Sequence, residues 1–333
     1  MTETCFETPV LLLIFNRPDT TQQVFDRIRA ARPTKLYVSA DGPRDNKLSD
    51  SKLCADTRRI LDQIDWSCEL HVRFLDENVG CAKAISSGIT WFFDHEEEGI
   101  ILEDDCVPSH DFFGYCEILL QKYRDNPQVM MISGTNLISN TVQLNYSYDF
   151  SRWTWIWGWA TWARSWKTYD ITLSWWESLS DKIIHDSYFD EIPLFREHLL
   201  WHGDDFHATS TPDTWDYQWT YTVMMNNGLC IIPEKNLISN IGVVGAHYSG
   251  GDTSLLCREI QHLDVDHIHH PNCVCANRQL DVILFNVIMT NSLQYKIALT
   301  LGGMLRKICI FPRFHEIHPV IVGFFFKRLI GNK

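Results

Sequence analysis

The sequence predicts an α/β fold, with a mostly parallel, doubly wound sheet flanked by helices and a helical C-terminal segment. Two observations carry this. Short apolar runs alternate with segments of helical periodicity through the first hundred residues, the pattern that lays strands side by side in parallel. Each run also stops at a polar or glycine-containing turn: Asn16-Arg17, Asp41-Gly42, Asn78-x-Gly80 and Glu103-Asp104-Asp105. A chain of 333 residues, 45% apolar and 21% charged, can bury a sizeable core as one large domain or two smaller ones.

Residues 9–15 read as a buried strand that turns at Asn16-Arg17-Pro18, and residues 20–31 follow as a helix with Val24 and Ile28 on one face. Residues 35–39 form the second strand, stopped by Asp41-Gly42-Pro43, and 51–64 the second helix. Strand 69–75, helix 80–94 and strand 99–102 repeat the unit. Ser109 is placed to cap a helix over 111–123, and 128–133 is another strand. The texture then changes, with eight of the thirteen tryptophans between Ser151 and Trp176. Trp153, Trp155, Trp157 and Trp159 alternate as on a strand, and Trp162 and Trp166 are spaced as on a helix. Further helices are expected over about 192–202 and from Asp213, then a strand at 229–233, a glycine-rich loop at 236–252 holding His247, and a mostly helical stretch from Gln279.

The acid cluster is the most informative local feature. Four apolar residues, Gly99 to Leu102, run straight into Glu103, Asp104 and Asp105. Adjacent carboxylates repel one another and resist burial, so packing does not explain them. They become favourable where a divalent cation sits, and hard oxygen donors suit Mn²⁺ or Mg²⁺. Such an ion usually completes its shell with water and substrate phosphates. Ligands of open α/β sheets bind at the carboxyl ends of the strands. That edge is expected to gather Arg17, Asp41, Asn78, Lys83 and the acid cluster. Each piece also has a plainer reading: a solvated acidic turn, turn chemistry at Asp41, an exposed charge at Arg17.

The net charge of −13 argues against general nucleic-acid binding. Residues 291–333 are the exception, with seven Lys or Arg against one acid. Together with the apolar run 320–330, too short to span a bilayer, this suits a peripheral membrane anchor, a helix docked on the protein itself, or a dimer contact. Eleven cysteines without regular spacing favour reduced thiols, and the acidic N-terminus has no secretory pattern, so a cytoplasmic protein is expected. His267, His269 and His270 with Cys273 and Cys275 fit no usual zinc spacing, and Asp204-Asp205 reads better as a polar loop than as a second metal pair. Walker, G-x-S-x-G and H-E-x-x-H motifs are absent.

The ordered set Phe15-Asn-Arg-Pro18, Ser39-Ala-Asp-Gly-Pro43, Asn78-x-Gly80, Ile101 to Phe113 and Trp157-Gly-Trp-Ala-Thr-Trp162 resembles bacterial glycosyltransferases of the GT-A fold, the hemolytic protein HlpA-like group near glycosyltransferase family 2. The acid cluster followed by Asp-Phe-Phe is also similar to the β-1,2-N-acetylglucosaminyltransferase I family. The resemblance spans about residues 8–285. It implies a nucleotide-sugar-binding half at 1–135 and an acceptor-binding and catalytic half at 136–278, followed by the basic amphipathic segment at 279–333 that the charge pattern marks.

It further implies that Arg17 and Asp41 contact uracil and ribose, and that Asp105 ligates Mn²⁺. Asp104 would touch ribose or donor sugar, with Asn78, Lys83 and Glu103 nearby, and His247 would lie near the diphosphate. Asp216, in Trp215-Asp-Tyr217, resembles a catalytic base whose family motif has a second Asp where Tyr217 stands. The activity implied is metal-dependent, inverting transfer of a sugar, UDP-linked by the same resemblance, to a hydroxyl of a glycan or lipid-linked acceptor, as in bacterial surface polysaccharide synthesis. The competing readings are a non-catalytic sugar-binding or assembly subunit and a sugar-phosphate nucleotidyltransferase. The latter carries a glycine-rich loop after its first strand, where this chain has Asn16-Arg17-Pro18-Asp19.

Overall fold

Five consecutive apolar residues, Val10–Ile14, leave no polar face and can only be a strand buried on both sides. This β1 sits inside an eight-stranded sheet of a computed structural model, which describes residues 6–185, 192–208, 213–242, 257–289, 296, 297, 299 and 300. The strands are β1, β2 (Lys35–Ala40), β3 (Glu69–Phe74), β4 (Glu98–Glu103), β5 (Cys106–Pro108), β6 (Val129–Ser133), β7 (Tyr148–Ser151), β8 (Trp159–Trp162), β9 (Leu229–Pro233) and β10 (Ile238–Asn240). The sheet order is β3-β2-β1-β4-β8-β6-β9-β7, while β5 and β10 form a separate antiparallel pair.

The first four strands run parallel, as the alternation predicts. β8 is antiparallel to both β4 and β6, β9 is parallel to β6, and β7 is antiparallel to β9. The result is a mostly parallel mixed α/β sheet of Rossmann-like character.

Helices α1 (Pro18–Ala31), α2 (Leu48–Arg58), α3 (Cys81–Phe93), α4 (His110–Tyr123), α5 (Ala163–Trp166) and α8 (Asp216–Met225) belong to this unit. α1 and α4 cover one face, where Val24, Phe25, Ile28, Phe112 and Leu119 close on Val10, Leu12, Leu102 and Trp162. α3 lies on the other face, with Gly88 against Leu13 and Ser39, so that a Cβ there would meet both side chains at 2.9 Å. Ser109 caps α4 as expected, accepting the Phe112 amide at 3.1 Å.

Several elements differ from the sequence reading. Trp153, Trp155 and Trp157 are not on a strand, and only Trp159 opens one. Alternation of bulky aromatics here reflects packing of an irregular segment, held by Ser133 and Thr135 hydroxyls donating to the Trp155 and Trp157 carbonyls at 3.0 and 2.8 Å. Trp162 ends β8 and precedes the single turn Ala163–Trp166. β5, β7 and β10 are too short, at three or four residues, to show a period.

The chain divides into two compact units: Met1–Tyr169 with Asp213–Asn277, and Asp170–Pro212 with Arg278–Lys333. The second holds α6 (Trp176–His185), α7 (Pro193–Ala208) and α9 (Arg278–Met289). α6 was not expected. Asp204 and Asp205 lie in helix α7 rather than a loop, and Asp204 accepts the Trp176 indole N–H at 2.9 Å. Among the described residues no helix is long and apolar enough to cross a membrane. Most of the basic segment 291–333 lies outside the described residues.

Burial depresses the pKa of both His198 and His202 on α7, the latter to about 4, and His202 further lowers His198. Both side chains are then neutral in the fold but protonate near 6.5 when unfolded. Stability from this pair is complete above pH 6.5 and falls as pH drops toward 4, by up to about 1.4 kcal/mol per pH unit for each histidine. His202→Gln is expected to flatten the dependence of the melting temperature on pH between 6.5 and 4.5. An unchanged dependence would contradict this.

Candidate functional site

The carboxyl ends of β1, β2 and β4 lie side by side, because the register sets Ile14 beside Ala40 and Leu13 beside Glu103. Arg17 stands between β1 and α1, where its carbonyl accepts the Thr21 amide at 3.0 Å and the Thr21 hydroxyl at 2.7 Å. This anchors the backbone and sends the guanidinium back to the acid cluster. Nη1 donates to Asp105 Oδ2 at 2.8 Å, Nη2 pairs with Asp104 Oδ1, and Nε reaches Asp104 Oδ2 at 3.4 Å. The Phe15 amide adds a bond to Asp104 Oδ2 at 3.3 Å.

One cation therefore faces three carboxylates. Burial raises the Asp104 carboxyl to about 6 in spite of Arg17, and Asp105 adds to the rise. Burial and then the charges of Asp105 and Asp104 hold Glu103 well above the ordinary carboxylate range. Burial works to lower Arg17, but attraction to Asp104 and Asp105 outweighs it.

A second cluster sits at the end of β2. Asp41 Oδ1 accepts the Gly42 and Val79 amides at 2.8 and 3.0 Å, and Asn78 Nδ2 donates to Asp41 Oδ2 at 2.8 Å. Burial still raises the Asp41 pKa against those amide bonds. Gly42 is required here, because a Cβ would collide with the Glu77 backbone. The two clusters are tied by Asp50, only 1% exposed, which accepts Asn16 Nδ2 at 2.9 Å and Arg44 Nε at 2.5 Å.

The β5–β10 pair brings the chain at 238–242 across Asp105. The Ile241 amide donates to the Asp105 carbonyl at 2.8 Å, and Gly242 approaches so closely that a Cβ would collide with the Asp105 carboxylate. This crossing is held by two buried asparagines. Asn136 Nδ2 donates to the Pro233 and Glu234 carbonyls at 2.7 and 3.0 Å. Asn236 donates to the Ile238 and Glu259 carbonyls at 2.7 and 3.1 Å and accepts the Asn136 amide at 3.0 Å. Asn236→Ala leaves the buried Asn136 amide and Ile238 carbonyl, and the Glu259 carbonyl, without that partner and is expected to cost about 2–4 kcal/mol in urea unfolding. A loss under half a kilocalorie would show that the asparagine clip does not hold the crossing.

Asp216 is the first residue of α8 and accepts the Thr214 hydroxyl. Its charge acts on Glu103 and on Cys81, which places it with the acid cluster although more than a hundred residues separate them. Trp215 just before it is 3% exposed and stacks on Trp159 at 5.8 Å and 20°.

The edge thus brings together Arg17, Glu103, Asp104, Asp105 and Asp216, with Asp41 and Asn78 as a neighbouring pair. Lys83 is exposed on α3, and among the described residues its ammonium makes no ion pair or hydrogen bond with this set. The helix register turns it outward. His247 lies outside the described residues.

Cys81 is an addition that the sequence reading missed. It opens α3 at an exposed position, where desolvation of its thiol followed by the charges of Glu103 and Asp216 pushes the thiol up to about 12. The signal was its place directly after Asn78-x-Gly80, where Gly80 holds φ +85 and leaves open space beside its Cα.

Among the described residues, no three His, Cys, Asp or Glu side chains are arranged to hold a metal by themselves. The donor set instead offers the half-buried Asp105 carboxylate beside excess negative charge. That chemistry fits a hard divalent cation whose remaining ligands come from water or a bound phosphate. His267 and His270 are engaged elsewhere, with Asp264 at 3.0 Å and the Tyr148 hydroxyl at 2.9 Å.

No family model matches the chain, and no curated protein matches it. Among solved structures, the crystal structure of HddC from Yersinia pseudotuberculosis is similar at 8% identity and a TM-score of 0.26. The match covers 38% of this chain and 56% of HddC, so it spans little more than half of that protein.

Proposed function

We propose that the protein is a metal-dependent, inverting glycosyltransferase of the GT-A type that takes its sugar from a nucleoside diphosphate, with uridine the base implied by the sequence resemblance. The observation that carries this reading is the convergence of Asp105, Asp104, Glu103 and Arg17 at the carboxyl end of β4 with Asp216 from a distant helix. Asp105 would hold a divalent cation, which would supply neutralising charge for the departing diphosphate. Arg17 is within reach to take up part of the same charge once it leaves Asp105.

Asp41 and Asn78 form a fixed polar pair suited to a ribose or base edge. Asp216 takes the proton of the acceptor hydroxyl as its oxygen bonds to the anomeric carbon and the carbon–diphosphate bond breaks. A single base with direct displacement inverts the anomeric centre. The half-buried faces of Trp155 and Trp157 suit an acceptor sugar ring.

Thermal stability with UDP, GDP, CDP and dTDP, each with Mn²⁺ or EDTA, tests the proposal. One nucleotide should raise the melting temperature only with metal, and its sugar conjugate should be consumed when acceptor glycan is supplied. Binding of sugars without any nucleotide response would favour the non-catalytic reading. Pyrophosphate release from a nucleoside triphosphate would favour the nucleotidyltransferase.

A further inference from the structure

β3 is an outermost strand of the sheet, and among the described residues it pairs with β2 alone. The Glu69 and Leu75 amides donate to the Thr34 and Ala40 carbonyls, so the odd-numbered positions turn their backbone groups inward. By the alternation of the ladder, the amides and carbonyls of Leu70, Val72 and Phe74 face outward. The same three side chains are 41%, 49% and 38% exposed, on one face of the sheet. Protein edges of this kind are normally blunted by proline, a bulge, like charge or a covering element. β3 has no proline, its pairing with β2 is regular, and its two fully charged residues have opposite signs.

We propose that this edge pairs antiparallel with the same edge of a second copy, about a two-fold axis through His71. Leu70 of each copy then lies opposite Val72 of the other, and their outward backbone groups meet in two hydrogen-bonded pairs. Glu69 of each copy lies opposite Arg73 of the other, an attractive cross-strand pair formed twice. Moving the axis to Val72 would set Arg73 against His71 and Glu69 against Leu75, so charge complementarity selects the first register.

Both groups are available for it. Glu69 is 60% exposed at its side chain and, among the described residues, its carboxylate bonds the neighbouring His71 alone, at 2.9 Å. Arg73 donates to the neutral hydroxyls of Ser39 and Ser87, both at 3.1 Å, and makes no ion pair among the described residues. The antiparallel arrangement points the carboxyl ends of the two sets of strands in opposite directions, so both candidate sites stay open.

Sedimentation velocity of the full chain across the micromolar range tests this, with circular dichroism as the control for folding. The wild type should show a monomer–dimer equilibrium. Val72→Lys, at an exposed position, should be monomeric with an unchanged spectrum. Glu69→Arg should weaken the dimer about tenfold through two repulsive cross-strand pairs. The exchange E69R/R73E should restore it. A wild type that stays monomeric, a dimer that survives Val72→Lys, or a failure of the exchanged pair to recover would overturn the proposal.

Discussion

Asp105→Asn is expected to abolish stabilisation by nucleoside diphosphate and Mn²⁺. With ligand at a hundred times its dissociation constant the wild type gains about 2.7 kcal/mol, and the variant should gain none. The reason is charge. An amide of the same shape removes the charge of a half-buried carboxylate, while Asp104 is more enclosed, 3% exposed and held by Arg17 and Phe15. The fold should survive, because the Asp105 backbone carbonyl still accepts the Ile241 amide. Differential scanning fluorimetry with and without EDTA reads both effects. A variant that keeps the full metal-dependent shift would remove Asp105 from the site and with it the proposed function.

Trp159→Ala should be the most damaging core substitution, costing about 3–5 kcal/mol. The Trp159 side chain is 0% exposed. Its ring stacks on Trp215 and lies 5.5 Å from Trp219 and 6.3 Å from Trp166. Truncation therefore opens a cavity among rings on β8, α5 and the start of α8, which relax poorly because they pack on each other. Trp215 rests on that ring and immediately precedes Asp216, so the same change should loosen the candidate base. Trp159→Phe refills part of the volume and should recover at least half of the loss in chemical denaturation. Equal losses for both variants would show that the stack does not depend on volume.

Much of the first hundred residues was legible in the sequence. β1 and β2 are apolar runs bounded by turns, and α1 and α3 carry apolar residues at helical spacing, so period and punctuation agree locally. The strand-end turns therefore named Arg17, Asp41, Asn78 and the acid cluster before any coordinates. The direction of Lys83 was not legible, because a turn of one hundred degrees per residue makes side-chain direction sensitive to where the helix begins. The tryptophan-rich segment misled because alternation of aromatics has two causes, a pleated strand and an irregular chain packed from both sides.

The sequence by itself determined the parallel α/β start, the polar turns at the strand ends, and the concentration of negative charge at the end of β4. Each of these is a short-range property, set by neighbours in the chain. Only the tertiary structure decided that Arg17 clamps Asp104 and Asp105, that Asn136 and Asn236 carry Gly242 over Asp105, and that Asp216 returns to within reach of Glu103's field. Those contacts join residues roughly ninety to more than a hundred positions apart, and no local periodicity records them. They exist because β1 pairs beside β4 and β10 beside β5, and because buried polar groups must find partners wherever the sheet order places them.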